Sequence, residues 1–368
     1  MLVLIVMYFM LFGLNIIISG QNRKYLYVFT VLILAFSSVF VIPTSDMDLY
    51  RHYITLDNFR TYGFEYFSIF RYTTSLPLYA IYFYIISLFD SNGVLPFVSF
   101  TITYGSIMLM LYYAEKDFNL SDISIKIAYF LMIFLNSYID MLCIRNLMIF
   151  AVDALILYID LVKKKNKLIC FAGYCILTTM HYSGLFIIIL RIIYEFFSKS
   201  KVFWPILIII CAWTIFQNTI YSILINYDHI AFVHLINSMF KLYLAEEEIR
   251  NPVFSIVRLL MMIVFFIIGI YCNKNLKYLL NEKEIDFIKF SNAFCLFTLG
   301  TCSTDYLFLR LVMFACIVCP LMVAKFISIK GIETKVRKIK LQNIIIICIV
   351  LLNVAAIFYY HYRFIYFW

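Results

Sequence analysis

The sequence predicts an all-α membrane protein with many spans, and three observations support this fold class. Of its 368 residues, 64% are hydrophobic and only 14% are charged, whereas soluble domains are about 45–50% apolar and about 25% charged. The mean hydropathy is +0.94. The few Lys and Arg residues lie in short clusters between long apolar runs. A soluble globule, a disordered chain and a disulfide-rich secreted domain are therefore excluded.

Apolar runs that could cross a bilayer recur along the whole chain. A helical span needs about 17–25 predominantly apolar residues. The candidate spans are 2–19, 25–42, 94–113, 124–139, 143–162, 202–224, 253–272, 288–302, 307–327 and 342–360. Two further segments are ambiguous, because 76–90 is short and 168–197 is long enough for two short helices with a break at 181–184.

The basic clusters orient these spans, because Lys and Arg concentrate in cytoplasmic loops. The strongest clusters lie at 23–24, 163–167 and 325–340. A full crossing by 76–90 would place 163–167 outside, so 76–90 is predicted as a re-entrant or interfacial helix on the outer side. The prediction is one integral membrane domain over 1–368, with about 12 spans and both termini outside the cytoplasm.

The net charge of +9 is therefore read as an orientation signal, and nucleic acid is not a predicted partner. The ten cysteines all fall inside or at the ends of apolar runs, which favours packing over a metal or redox role for Cys316 and Cys319. The first apolar run lacks the basic start and small-residue cleavage site of a signal peptide, so it is predicted to be retained.

The remaining polar residues gather at the predicted outer ends of the spans. A charge inside a span costs about 2.5–3.5 kcal/mol on insertion scales, so such residues usually face a cavity or a partner. We therefore expect a polar cavity in the outer half of the bundle. The residues concerned are Asp46, Asp48, Arg51, His52, Asp140, Arg145, His181, Arg258, Asp305 and Arg310.

A dense polar motif follows span 25–42 directly. Asp46, Asp48, Arg51 and His52 combine two carboxylates, a guanidinium and an imidazole, which together offer a general base and anion-binding groups. If the stretch is helical, Asp48 shares a face with Arg51 and with His52. The alternative is a solvated helix beside the membrane with local ion pairs.

Two further motifs open predicted spans or interrupt them. Arg145, followed by Asn146, stands at the mouth of span 143–162, where a planar guanidinium suits a phosphate oxygen; the alternative is an interfacial arginine. His181 lies at the predicted break, and broken helices at membrane depth are buried or line a cavity. A hydrogen-bonded structural histidine is its alternative.

Three charged residues occupy the starts of late spans. Arg258 follows a helix start at Asn251-Pro252 and lies deep enough for an internal role. Asp305 and Arg310 form either a helix cap with an anchor, or the wall of the cavity opposite Arg145. Asp153, near mid-membrane, either pairs within the bundle or lines the cavity.

Two outer loops, 43–75 and 226–252, are predicted to form or gate the site. Within the second, 229–248 is predicted as an amphipathic helix on the membrane surface. The sequence has no phosphate-binding Gly-rich loop, no H-E-x-x-H motif and no soluble domain large enough for a nucleotide. The energy for any reaction must therefore come from the substrate, and no cofactor is predicted, although the acidic pair leaves Mg²⁺ open.

These motifs resemble those of the EpsG-like group of Wzy-type O-antigen and capsule polymerases, over most of the chain in order and spacing. Where many members have Arg-Gln, this chain has Arg145-Asn146. The motifs that carry the resemblance are Asp48-Leu49-Tyr50-Arg51-His52-Tyr53, Ile144-Arg145-Asn146, His181-Tyr182-Ser183-Gly184, and the Asp305 to Arg310 turn before a span ending near Pro320.

The resemblance implies a GT-C-like glycosyltransferase in the bacterial cytoplasmic membrane. Such an enzyme moves a polyprenyl-diphosphate-linked glycan en bloc onto a lipid-linked repeat unit at the outer face, by inverting displacement. Its implied partners are the bilayer, the lipid-linked oligosaccharide, and a chain-length regulator and flippase. The candidate catalytic residues are Asp46, Asp48, His52 and His181, and the candidate substrate-binding residues are Arg51, Arg145, Asn146, Arg258, Asp305 and Arg310.

Three other functions fit the same motifs. A flippase or other transporter would place polar residues along a full transmembrane path, whereas here only Asp153 lies deep. An O-antigen ligase or another GT-C transferase differs only in its acceptor. A membrane O-acyltransferase would use His181 as the base, but the outer arginines favour a diphosphate substrate.

Overall fold

The computed structural model describes residues 2–41, 43, 48–136, 143–212, 221–230, 233, 237, 252–302 and 304–333. Over these residues the chain is all-helical and contains no strand, as predicted. Among the described residues, three helices are long and apolar enough to cross a bilayer, namely Val94–Asp117, Ser255–Asn275 and Leu307–Ile329. Shorter apolar helices accompany them, and these features together indicate a membrane protein.

The helices coincide with most of the predicted spans, and the 168–197 segment is divided as expected. The predicted span 342–360 and most of the predicted surface helix 229–248 lie outside the described residues. In chain order the helices are α1 (Leu2–Ile17), α2 (Arg23–Val39), α3 (Asp48–Thr74), α4 (Pro77–Ser87), α5 (Val94–Asp117), α6 (Asp122–Asn136), α7 (Ile144–Leu161), α8 (Lys167–Thr178), α9 (Gly184–Phe197), α10 (Phe203–Cys211), α11 (Pro252–Asn275), α12 (Glu282–Gly300) and α13 (Asp305–Glu333).

Local signals explain several helix starts. Asn281 caps α12 by accepting from the Glu284 amide, while the Glu284 carboxylate accepts from the Asn281 amide. This reciprocal cap starts the helix six residues before the apolar run that begins at 288. Pro77 occupies the first turn of α4, where its missing N–H leaves no intrahelical bond unmade.

The segment 43–75, predicted as an outer loop, is mostly the helix α3, which kinks at Gly63 (φ 57°, ψ −134°). Its aromatic residues pack rather than remain in solvent. The Phe59 ring is buried and meets Tyr66 and Phe70 of the same helix and Tyr84 of α4, with centroids 4.9–6.3 Å apart. Aromatic packing therefore stabilises this helix along its length.

Helix α13 lies at the centre of the bundle, and 94% of its most apolar stretch is buried. It packs against α6, α7, α11 and α12. Helix α7 packs against α5, α8 and α13. The two arginines that start these helices, Arg145 and Arg310, are therefore held on the most enclosed elements of the fold.

One end of the bundle, which we call the ion-pair end, holds most of the described ion pairs. Long-range pairs join different helices there, which fixes their relative heights. These pairs are Arg23 with Glu115 and Asp122, Lys163 with Asp117, Arg191 with Asp160, and Lys325 with Glu284.

The opposite end, the site end, carries Asp48, Tyr79, Arg145, His181 and Arg310. Helix α4 begins and ends there. The Tyr79 amide, in its first turn, lies 3.4 Å from the Thr179 carbonyl oxygen. Beyond its last turn, Gly93 lies so close to Val39 at the end of α2 that a Cβ would be 2.8 Å from the valine Cγ1.

Candidate functional site

Helix geometry brings Asp48 and His52 together in the first turns of α3. The Asp48 Oδ2 lies 3.2 Å from the His52 Nε2, at the (i, i+4) spacing. The histidine side chain is 4% exposed and the aspartate side chain 29% exposed, so the carboxylate is the accessible member of the pair. Arg51, on the same helix, is exposed.

Tyr79 joins this pair to α7, and the sequence did not reveal it. Its hydroxyl oxygen lies 3.4 Å from the His52 Nδ1, and its ring centroid lies 4.1 Å from the Arg145 Cζ. A guanidinium over an aromatic face is attracted by the ring quadrupole. The chain has 30 tyrosines, and only the packing of α4 on α3 distinguishes this one.

Arg145 is stacked on this ring but is not fully hydrogen-bonded. Its Nε is buried and has no hydrogen-bond partner in the described part of the chain. The neighbouring Asn146 is 3% exposed, and its Oδ1 is likewise without a partner there. Buried polar atoms left unpaired are costly, so both residues are suited to bind a polar ligand.

His181 and Arg310 form the second pair at the site end. The Arg310 Nη1 donates to the His181 Nε2 at 3.3 Å. Because a guanidinium has no acceptor, this bond requires a neutral imidazole. The His181 Nδ1 lies 2.8 Å from the Ser183 Oγ and 3.1 Å from the Ser183 amide, which holds the ring in place between α8 and α9.

The two chain breaks at this end contact each other. The Tyr182 hydroxyl donates to the Thr74 carbonyl at 2.9 Å, and the Tyr79 amide lies near the Thr179 carbonyl. The α3–α4 junction and the α8–α9 break therefore support one another. This contact aligns the Asp48 pair with the His181 pair.

The charges at the site end influence one another. Burial alone raises the pKa of Asp48, but the close contact with His52 and the positive charges of Arg145 and Arg310 outweigh it and lower the pKa to about 2. Burial lowers the pKa of His52, and the charges of Arg145 and Arg51 act in the same direction. Near neutral pH the site therefore holds an ionised carboxylate beside a neutral imidazole.

The remaining predicted site residues have no described contact with the Asp48 pair or the His181 pair. Arg258 is buried, and its described bonds run to the Leu135 carbonyl at 3.2 Å and the Cys316 Sγ at 3.3 Å. These contacts tie α11 to α6 and α13. Asp305 begins α13, but the structure does not describe its side chain. Asp46 and Asp140 lie outside the described residues.

Asp153 continues the polar side of α7 below the site end. It is 1% exposed, and neither carboxylate oxygen has a hydrogen-bond partner among the described residues. Its Oδ2 faces Gly184, where a Cβ would lie 3.6 Å away. Of the two roles predicted for Asp153, pairing within the bundle is not seen in the described contacts.

No group of three or more His, Cys, Asp or Glu side chains within the described ranges is arranged to hold a metal ion. Cys316 and Cys319 are wholly buried in α13. In comparisons with protein-family models, curated proteins and solved structures, the chain matches none of them.

Proposed function

We propose that the chain is a polytopic membrane glycosyltransferase of the GT-C-like kind, which extends a polyprenyl-diphosphate-linked glycan. The observation that carries the proposal is the convergence of one ionised carboxylate, Asp48, with two arginines at one end of the bundle, the half-buried Arg145 and the buried Arg310. A transfer from a sugar diphosphate needs these two chemistries, a base and an anion site, side by side.

In the proposed reaction an acceptor hydroxyl oxygen attacks the anomeric carbon of the lipid-linked glycan. The bond between that carbon and the phosphate oxygen breaks, and the diphosphate leaves with the electron pair. The hydroxyl proton passes to the Asp48 carboxylate, which is ionised and the more exposed member of its pair. A single displacement of this kind inverts the anomeric centre.

The arginines receive the charge that develops on the diphosphate. Arg145 has an unpaired buried nitrogen and a stacked, oriented plane, so a phosphate oxygen would complete its bonding. His181 acts as a positioning residue for Arg310, because its ring nitrogen accepts from that guanidinium. His52 positions Asp48, because its Nε2 lies 3.2 Å from the carboxylate Oδ2.

The proposed setting is the bacterial cytoplasmic membrane, with about 12 spans, both termini outside the cytoplasm and the site end at the outer face. The ion-pair end carries Arg23, Lys163 and Lys325, members of the three basic clusters, which supports a cytoplasmic position for that end. Helix α4 begins and ends at the site end, which supports its proposed re-entrant or interfacial placement there. A chain-length regulator and a flippase are the proposed partners.

The test is an assay of the purified full-length chain with lipid-linked repeat units, read as a ladder of products. The proposal expects Arg145→Ala and Arg310→Ala to leave single repeats on the lipid. Arg145→Lys should be nearly as defective, because a lysine keeps the charge but loses the planar fork. Arg71→Ala is the matched control, since Arg71 is exposed near the end of α3 and should leave the ladder unchanged.

Two results would contradict the proposal. Normal ladders from both alanine variants would show that the reaction does not need these arginines. Repeat units that cross a vesicle membrane but are never extended would favour a transporter.

A further inference from the structure

A groove lies between α10, α11 and α12, with a volume of about 660 Å³, and none of its lining residues belongs to the candidate active site. Lys274 and Lys277 lie at the end of α11 and just beyond it, at the ion-pair end. Farther along, the walls are apolar and include Ile208, Phe266 and Leu296. The groove is therefore charged at one end and apolar along the rest of its length, which suits an amphipathic ligand.

Its charged end is uniformly basic. Lys274, Lys277 and Lys289 line it, and no described lining residue is acidic. None of the three forms an ion pair with another described residue, although the Lys289 Nζ donates to the Ser198 carbonyl. Basic side chains near a bilayer surface attract anionic headgroups. Taken alone, these lysines could simply be interfacial anchors.

An interfacial role for the lysines does not explain the buried side chain of Asn292. It lines the apolar part of the groove and is wholly buried. Neither its Oδ1 nor its Nδ2 has a hydrogen-bond partner among the described residues. The absence of a side chain at Gly269 gives the amide its space, since a Cβ there would lie 2.4 Å from the Asn292 Oδ1. A buried amide with both atoms unpaired calls for a polar partner inside the groove.

We propose that this groove binds an anionic phospholipid from the bilayer. The phosphate lies against Lys274, Lys277 and Lys289, and an acyl chain runs along the apolar wall. The Asn292 Nδ2 donates to an ester carbonyl of the lipid, which explains why an amide occurs at that depth. This site is separate from the Asp48 pair and stands independently of the proposed transferase activity.

Trp204 lines the same groove and provides the readout. The full-length chain, with Trp213→Phe and Trp368→Phe so that Trp204 alone fluoresces, is placed in phosphatidylcholine nanodiscs. Rising fractions of phosphatidylglycerol or phosphatidylcholine with brominated acyl chains are then added. We expect half-maximal quenching at a several-fold lower fraction of the brominated phosphatidylglycerol. Equal quenching by the two lipids would overturn the proposal without any substitution in the groove itself.

Two triple variants with the same change in charge test whether the preference for phosphatidylglycerol depends on the groove lysines. A lysine near an anionic headgroup contributes about fivefold in binding, so Lys274→Gln, Lys277→Gln and Lys289→Gln combined should abolish the preference. The control combines Lys24→Gln, Lys116→Gln and Lys165→Gln, three exposed lysines outside the groove. The control should keep the preference for phosphatidylglycerol. If both triple variants lose that preference equally, it depends only on the net charge of the protein, and the proposed site is refuted.

The amide and the source of the phosphate are tested separately. In the parent chain, ether-linked phosphatidylglycerol should bind several-fold more weakly than the ester form, and Asn292→Leu should remove that difference. An unchanged difference would refute the carbonyl contact. Inorganic phosphate at millimolar concentration should not reverse the quenching. Reversal would identify a free-anion site instead of a lipid site.

Discussion

Replacing Arg191 by Met removes the positive charge from the most enclosed ion pair at the ion-pair end. The Arg191 Nε lies 2.6 Å from the Asp160 Oδ2, and the Nη2 lies 3.1 Å from the Oδ1. The two side chains are 6% and 4% exposed. The substitution leaves the Asp160 carboxylate buried without its partner, which costs about 3–5 kcal/mol of folding free energy.

The same arginine offers an internal control. Its Nη1 also contacts Glu195 at 2.9 Å, but that carboxylate is 42% exposed. Glu195→Gln should therefore cost only about 0–1 kcal/mol. Replacing the whole buried pair, with Arg191→Met and Asp160→Leu together, should return stability to within about 1 kcal/mol of the parent, because no lone charge then remains buried.

Unfolding can be followed by thiol labelling across a denaturant series, because Cys170, Cys272, Cys295, Cys316 and Cys319 are buried. The labelling midpoint should fall strongly for Arg191→Met and little for Glu195→Gln. The reasoning is refuted if the two single variants shift the midpoint equally. It is also refuted if the double variant is less stable than Arg191→Met.

Three further predictions concern the site end. In the ladder assay, Tyr79→Phe should retain activity, because the ring under Arg145 remains, and Tyr79→Leu should lose about tenfold; equal activities would exclude the stacking. Because the pKa of Asp48 is lowered to about 2, the initial rate should show no acid limb from this group between about pH 5 and 7, and a limb whose midpoint moves in Asp48→Glu would contradict this. Gly184→Val should cost about 1–3 kcal/mol by overpacking, because a Cβ there meets Thr178 at 3.2 Å, whereas Gly105→Ala has open space and should leave the thiol-labelling midpoint unchanged.

The helices were predictable because their signals are local. Apolar runs, a capping pair such as Asn281 with Glu284, and Pro77 at a helix start are all read within a few residues. The exception is α3, for which a helix was considered only over the polar motif at its start. Its stability depends on aromatic contacts with α4, and such contacts are not visible in the spacing of α3 alone.

The candidate site was predictable only in part, for the same reason. The contact between Asp48 and His52 follows from helical spacing, so the sequence could anticipate it once a helix was assumed. Arg258 was grouped with the site because it is a charged residue near a helix start. Its described contacts join α11 to α6 and α13, and these contacts depend on how those helices pack.

By itself, the sequence determined that the chain belongs in a bilayer and where most of its helices lie, because hydrophobicity and caps act over short stretches of chain. The tertiary structure alone decided that Tyr79 lies under Arg145, that Arg310 donates to His181, and that both pairs meet at one end. These contacts join residues far apart in the chain. They depend on which apolar faces pack together, and apolar faces of similar composition do not specify their partners.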